Sequence, residues 1–304
     1  MSQTALSQHT PAAPNLRLGL ISAVAVLFIW SGFLVVSRAG IQSSLTAGDI
    51  TMLRFALTGA LFLPFARRWW PRHVPLWGLC LMALCGPGAL YSMLTFAGLG
   101  QTSAAHGAIF TNGALPFFTV ALIVAVTGKW PGRNQVMALF IVVAGGVLFA
   151  LPGLSVGGTS KLGGIALLLS AAAILSVYTF CLNHWRLSPR EALVLINVPN
   201  AVLFLPIWAL FLPSGLAEAA TGMVLLQALY QALGPGLLAV IFYALAATHL
   251  GAAMTAGFSA AVPVTAALLA IPVLGERLTA LEWLATGVVT LGLIALVRAR
   301  QRDA

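Results

Sequence analysis

Few residues of this chain could do chemistry, and those few are polar groups set in long apolar stretches. His106 has the side chain that ordinarily titrates nearest neutrality, so it could bond to a helix neighbour, bind a solute or carry a proton. Asn112 follows in the same stretch, before Pro116, but six residues of separation keep the two from sharing one helical face closely. Arg54 stands five residues after Asp49, which is about 8 Å along a helix. A guanidinium at that depth either snorkels to the headgroups, pairs with another group, or faces a watery cavity where it attracts an anionic group. Trp30, Ser31, Tyr91, Tyr178, Asn197, Asn200 and Tyr243 add aromatic and polar groups of the kind that wall a pocket of mixed character, or that simply pack. Trp30 and Tyr243 lie far from the loops where an aromatic belt would claim them, and are the preferred cavity pair.

Missing motifs bound the chemistry further. There is no HExxH, no DD-type pair of carboxylates, no nucleophile elbow and no P-loop, so the sequence argues against a membrane-embedded enzyme or an ATP-driven pump and assigns no catalytic residue and no cofactor. Asp49, Glu191, Glu276 and Glu282 all fall at the ends of apolar segments, so a carboxylate relay through mid-membrane has no members. Coupling to protons would rest on His106 or on a helix-end carboxylate. Cys80, Cys85 and Cys181 lack metal-ligand spacing and read as small buried apolar residues; no metal is expected.

The elements that position these groups are expected to be membrane helices. Of 304 residues, 60% are hydrophobic and 7% charged, and so few charges cannot cover the surface of a soluble fold of this length. Segments long enough to cross a bilayer lie near 19–37, 48–66, 76–97, 103–127, 135–151, 162–182, 192–212, 224–247, 252–273 and 281–297. The polar alternation of barrel strands is absent, and the first segment is too long for a signal peptide. Residues 1–16, with Pro11 and Pro14, read as a disordered tail, and 299–304 as a basic one.

Charge tests the count independently. With the N-terminus and Arg17 in the cytoplasm, the cytoplasmic loops receive Arg67, Arg68 and Arg72, then Lys129 and Arg133, then Arg186 and Arg190, then Arg298, Arg300 and Arg302. The other side receives only Arg38, Lys161 and Arg277 near helix ends, with Arg38 expected at the interface. That asymmetry follows the positive-inside rule for ten helices with both termini cytoplasmic, and Trp69, Trp70, Trp130 and Trp185 anchor the basic side. The formal charge of +9 is therefore read as a topological signal, with the lipid bilayer as its partner and not a nucleic acid.

The chain also repeats itself. GPG recurs at 86–88 and 234–236, and Pro116, Gly128 and Gly145 have partners 147 residues on in Pro263, Gly275 and Gly292. LFLPFA at 61–66 and LFLPIWA at 203–209 match at a slightly different spacing. Each half holds five helices, and an odd number inverts the second half relative to the first. Inverted repeats are a common basis of secondary carriers, with substrate bound near midplane where the halves meet. Pro87, Pro116, Pro235 and Pro263 are expected to kink helices, either around such a cavity or as plain packing kinks.

TAGDITMLRFALTGALFLPF at 46–65, SAAHGAIFTNGALPFF at 103–118 and AAVPVTAALLAIPVLGERLTALEWLATGVVTLGLIAL at 260–296 carry a specific resemblance. Over about residues 17–300 the chain resembles an EamA-domain transporter of the drug/metabolite transporter superfamily. The closing GERLTALEWLATGVVTLG is its most specific part, with Glu276, Glu282, Gly287 and Gly292 in the family's positions. In the first half Lys129 and Gln135 take the places of Glu276 and Glu282, a departure that weakens any role needing a carboxylate in both halves. The resemblance implies an all-α integral membrane protein of ten transmembrane helices in two inverted repeats, 17–151 and 162–298, joined by a linker at 152–161. It also implies a central cavity and export of amino acids, metabolites or drug-like molecules across a bacterial inner membrane. The expected partners are a small-molecule substrate and protons as coupling ion, in a monomer or homodimer; uptake or exchange of a metabolite and a non-transport scaffold are the alternatives.

Overall fold

The computed structural model describes residues 15–155 and 158–302, and of 153–155 and 158–160 the backbone alone. The disordered tail expected at 1–16 lies outside the described residues up to residue 14. Among the described residues, ten helices are long and apolar enough to cross a membrane: α1 Leu16–Gln42, α2 Ala47–Trp69, α3 Leu76–Gln101, α4 Ala104–Thr127, α5 Arg133–Pro152, α6 Lys161–His184, α7 Pro189–Phe211, α8 Thr221–Leu250, α9 Ala252–Leu274 and α10 Ala280–Arg302. Each overlaps one apolar segment read from the sequence, and most run past it, because polar residues at a helix end continue the hydrogen-bond ladder beyond the hydrocarbon. Thus 299–302, expected as a separate tail, form the end of α10, whereas 303–304 lie outside the described residues. Helical backbone likewise reaches Ser155 and resumes at Gly158; within the expected linker, 156–157 lie outside the described residues.

Local chemistry sets the helix ends. Thr46–Asp49 and Ser188–Glu191 are capping boxes at the starts of α2 and α7, and Thr279 with Glu282 makes the same reciprocal bonds before α10. Three of the four helix-end carboxylates singled out above are thus explained as caps. Gly128 and Gly275 end α4 and α9 with φ of +69° and +67°, a conformation only glycine adopts cheaply, and these two residues are repeat partners.

The halves interlock about a two-fold relation. α1 packs on α8 and α9 as α6 packs on α3 and α4, while α2 pairs with α7 and α5 with α10. The α5–α10 crossing makes one contact twice with roles exchanged: a methyl built on Gly145 would lie 2.7 Å from Val289 Cγ2, and one on Gly292 would lie 2.8 Å from Val142 Cγ2. Bare glycines there let the two backbones approach closely.

Four helices are interrupted at repeat-related places. α3 breaks at 86–88 and α8 widens to a π-turn over Gly234–Leu238; α4 carries a π-turn at Ala108–Gly113 and α9 a turn at 260–261. Pro87 and Pro235 lie inside the first pair of interruptions, and Pro116 and Pro263 directly follow the second. A proline cannot donate to the carbonyl four residues back, so it belongs where the ladder is already open.

Candidate functional site

The central helices α4 and α9 are packed unequally along their length. From 104 to 113 every residue of α4 except Asn112 is buried, whereas from 115 to 127 only Val120 is. In α9 the Ala252–Ser259 segment buries only Thr255, while Val262, Pro263, Ala266, Ala267 and Ala270 are buried in the Val262–Leu274 segment. Both helices are therefore tight at the end bearing Glu276 and loose at the end bearing Lys129. A cavity of about 490 Å³ bounded by Thr119, Lys129, Gln135, Asn183 and Arg300 lies at the loose end.

Hydrogen bonds hold the tight end shut. Arg38 Nε lies 3.3 Å from Glu276 Oε1, and Arg38 Nη1 donates to the Leu99 carbonyl. Glu276 Oε2 accepts from the Ala104 N–H at 3.0 Å, at the start of α4. Arg38, near the end of α1, is partly buried, because the α9–α10 loop folds its carboxylate over α1 and the α3–α4 joint. Burial pushes the Glu276 carboxyl above its ordinary value, outweighing the Ala104 N–H and Arg38, which pull it down.

Sequence reading missed a second fastening. Gln227 and Gln231 of α8 are fully buried; Gln227 Nε2 donates to the Val36 carbonyl at 2.6 Å, and Gln231 Nε2 donates to Ser37 Oγ at 2.9 Å and to Gln227 Oε1 at 3.2 Å. Two glutamines four apart in an apolar segment share one helical face, which was the available signal.

The break in α3 gathers four of the ten candidate residues, Arg54, Tyr91, Tyr178 and Asn200. Pro87 leaves the Ala83 carbonyl without its usual donor, and Asn200 Nδ2 fills that role at 3.0 Å. The same side chain accepts from the Ala89 N–H at 2.7 Å and donates to the Ile196 carbonyl at 2.8 Å, so its amide serves the backbone. Arg54 Nη2 donates to the Pro87 carbonyl at 3.2 Å. The guanidinium is buried between the rings of Phe33 and Phe55, at 5.8 and 5.4 Å, and has no carboxylate partner among the described residues. Tyr91, buried on α3 one turn beyond the break, shares its surroundings with Arg54, Thr95 and Thr111, and Tyr178 lies against Gly86.

The remaining candidates are spread around this centre. Trp30 and Tyr243 meet across the halves with ring centroids 5.6 Å apart, and both are partly exposed. Ser31 is buried and donates to the Val262 carbonyl at 3.5 Å, beside the α9 turn. His106 is buried at the tight end; its Nδ1 shares a 2.7 Å hydrogen bond with Ser103 Oγ, its ring meets the Phe149 ring edge-on, and its Nε2 has no partner among the described residues. Asn197 bonds back to its own helix at Leu193. Asn112 is half-buried in the π-turn. Among the described residues no group of three or more His, Cys, Asp or Glu side chains is placed to hold a metal ion.

A family model described as the EamA-like transporter family matches residues 17–151 and again residues 162–298. A curated relative, the uncharacterized transporter YwfM of Bacillus subtilis (strain 168), is 27% identical over 237 residues, covering 76% of this chain and 77% of the relative. A solved crystal structure, described only as that of a protein, superposes with a TM-score of 0.60 over 94% of this chain and 99% of that one, at 18% identity. Likeness at that identity bears on the fold alone.

Proposed function

The chain belongs to the EamA-like transporter family, and from that premise we propose that it exports amino acids or related compounds by alternating access around a central cavity. Membrane transport of a small solute follows from the family; the class of solute, the direction and the mechanism are our reading. The unequal packing of α4 and α9 carries it: helices tight at one end and splayed at the other describe one of the two states a carrier must visit. In an inverted repeat, exchanging the conformations of the halves produces the opposite state without new architecture. With both termini in the cytoplasm of a bacterial inner membrane, the loose end, which bears Lys129 and Arg300, opens inward and receives cytoplasmic solute. We read His106 and Glu276 as the groups that couple the cycle to protons, in a carrier that is a monomer or a homodimer.

The test is flux in proteoliposomes of purified protein, using labelled amino acids and metabolites with and without a pH gradient. Saturable movement that is lost on replacing Trp30 or Tyr243 supports carrier and cavity together, and its pH response reports on protons. No movement across widening panels, with folded protein inserted in both orientations, would shift weight to a scaffold or an embedded enzyme.

A further inference from the structure

Arg54 is a buried cation without a counter-ion. Its 4% exposure removes it from water, yet no Asp or Glu among the described residues pairs with it. The other inward-facing charges are provided for: the buried Asp49 accepts from the Thr46 and Gly215 N–H groups and from the Trp208 indole, and the partly buried Glu276 has Arg38 and the Ala104 N–H. A charge within a membrane domain is retained at such expense where a function uses it.

The guanidinium's fixed partners use only part of its capacity. The Pro87 carbonyl takes one Nη2 hydrogen, and two aromatic faces neutralise little. Arg54 Nε is buried with no acceptor. Nε together with a neighbouring terminal nitrogen forms the edge that receives a carboxylate through two parallel bonds. Beside it on α3, the buried Thr95 hydroxyl has the Tyr91 phenol as its neighbour and no charged partner. Unmade donors and hydroxyls around one uncompensated positive charge define an anion site, and the planar geometry favours a carboxylate.

We propose that Arg54, with Tyr91 and Thr95, is the subsite that takes the carboxylate of the transported solute. The inference rests on the carrier reading and deepens it, because it assigns the substrate class to organic acids, amino acids included. The site is occluded in the state described here. It lies between the α3 break and helices α1, α2 and α4, so the carboxylate reaches it as the halves exchange conformation.

The experiment pairs each α-amino acid with its uncharged-carboxyl amide, L-leucine with L-leucinamide and L-phenylalanine with L-phenylalaninamide. Counterflow into proteoliposomes is measured for wild type and for Arg54→Lys, Arg54→Gln and Thr95→Val. Wild type should prefer the acid roughly tenfold or more, the worth of charge-assisted hydrogen bonds. Arg54→Gln should abolish that preference, Arg54→Lys should keep part of it, and Thr95→Val should weaken acid but not amide. The wild-type comparison needs no variant to fold. Equal movement of acid and amide by wild type would overturn the subsite and leave the carrier reading standing, as would preferred movement of a solute that has no carboxylate. Movement of nothing in a broad panel would fail the carrier reading and the subsite with it.

Discussion

Replacing Asn200 with leucine should cost the fold about 2 kcal/mol, although the new side chain has nearly the same size. Two inward-facing backbone groups at the α3 break depend on this amide: the Ala89 N–H, which it accepts at 2.7 Å, and the Ala83 carbonyl, to which it donates at 3.0 Å. Pro87 has no N–H to give Ala83, so no helical bond forms in its place. An orphaned buried group costs roughly 1–3 kcal/mol in soluble proteins, while interhelical side-chain bonds in membranes average only ~0.6 kcal/mol because the unfolded chain finds other partners. Two orphaned groups set the expectation near the middle of that span. Asn197→Leu is the control, since its Nδ2 bond to Leu193 lies within its own helix, and its cost should stay under about 0.5 kcal/mol. Reversible unfolding in SDS mixed micelles measures both. Equal costs for the two variants would refute the assignment of Asn200 as a clamp on the α3 break.

Other consequences follow from the same geometry. In a variant lacking the three native cysteines, a cysteine at Phe117 should react with a membrane-impermeant maleimide from the side of the Lys129 loop, while one at the buried Phe110 should stay protected from both sides; equal labelling would deny the unequal packing of α4. Gly145→Leu and Gly292→Leu should destabilise by similar amounts, on the order of 1–3 kcal/mol, because each forces a side chain into the partner's valine; a large loss from one alone would contradict the two-fold crossing. Burial raises the Glu276 carboxyl, so the closed end favours the protonated form. That contribution is fully present below the ordinary carboxylate value and is lost as pH rises through the raised one. The thermal midpoint of wild type relative to that of Glu276→Gln should therefore fall from acid to neutral pH; a difference that does not change with pH would show that the burial of this carboxyl does not enter stability.

The helices were legible in the sequence because bilayer thickness imposes a length that an apolar run either meets or does not. The repeat was legible because glycine and proline mark backbone events, so Pro87 and Pro235 announced interruptions before any contact was known. What sequence left open was who answers each interruption. Asn200 lies 111 residues from Ala89, and Glu276 lies 172 from Ala104; only the fold brings such residues together. Arg54 drew attention as a charge at depth, and its missing counter-ion became visible only once its surroundings were placed. The acidic residues show the opposite case. Thr46–Asp49, Ser188–Glu191 and Thr279–Glu282 carry the three-residue spacing of a capping box, so their duty was written locally.

The two GPG breaks, related by the repeat, are not chemically equivalent. At 86–88 the Asn200 amide and the Arg54 guanidinium bond directly to the interrupted backbone or its flanks. At 234–238 no side-chain hydrogen bond among the described residues reaches the break, and a methyl added at Gly236 would come within 3.0 Å of the Thr58 methyl. A clamped break resists rebending because movement must first strip hydrogen bonds from buried groups, whereas a π-turn faced by carbon changes pitch without that penalty. The fold is thus symmetric in backbone and asymmetric in restraint. On the alternating-access reading proposed above, the α8 break itself can change pitch, while the turn before it stays fastened to α1 through Gln227, Tyr230 and Gln231. On the same reading, rebending α3 requires the Asn200 and Arg54 bonds to be broken, so an anion that engages Arg54 would act at the clamped break.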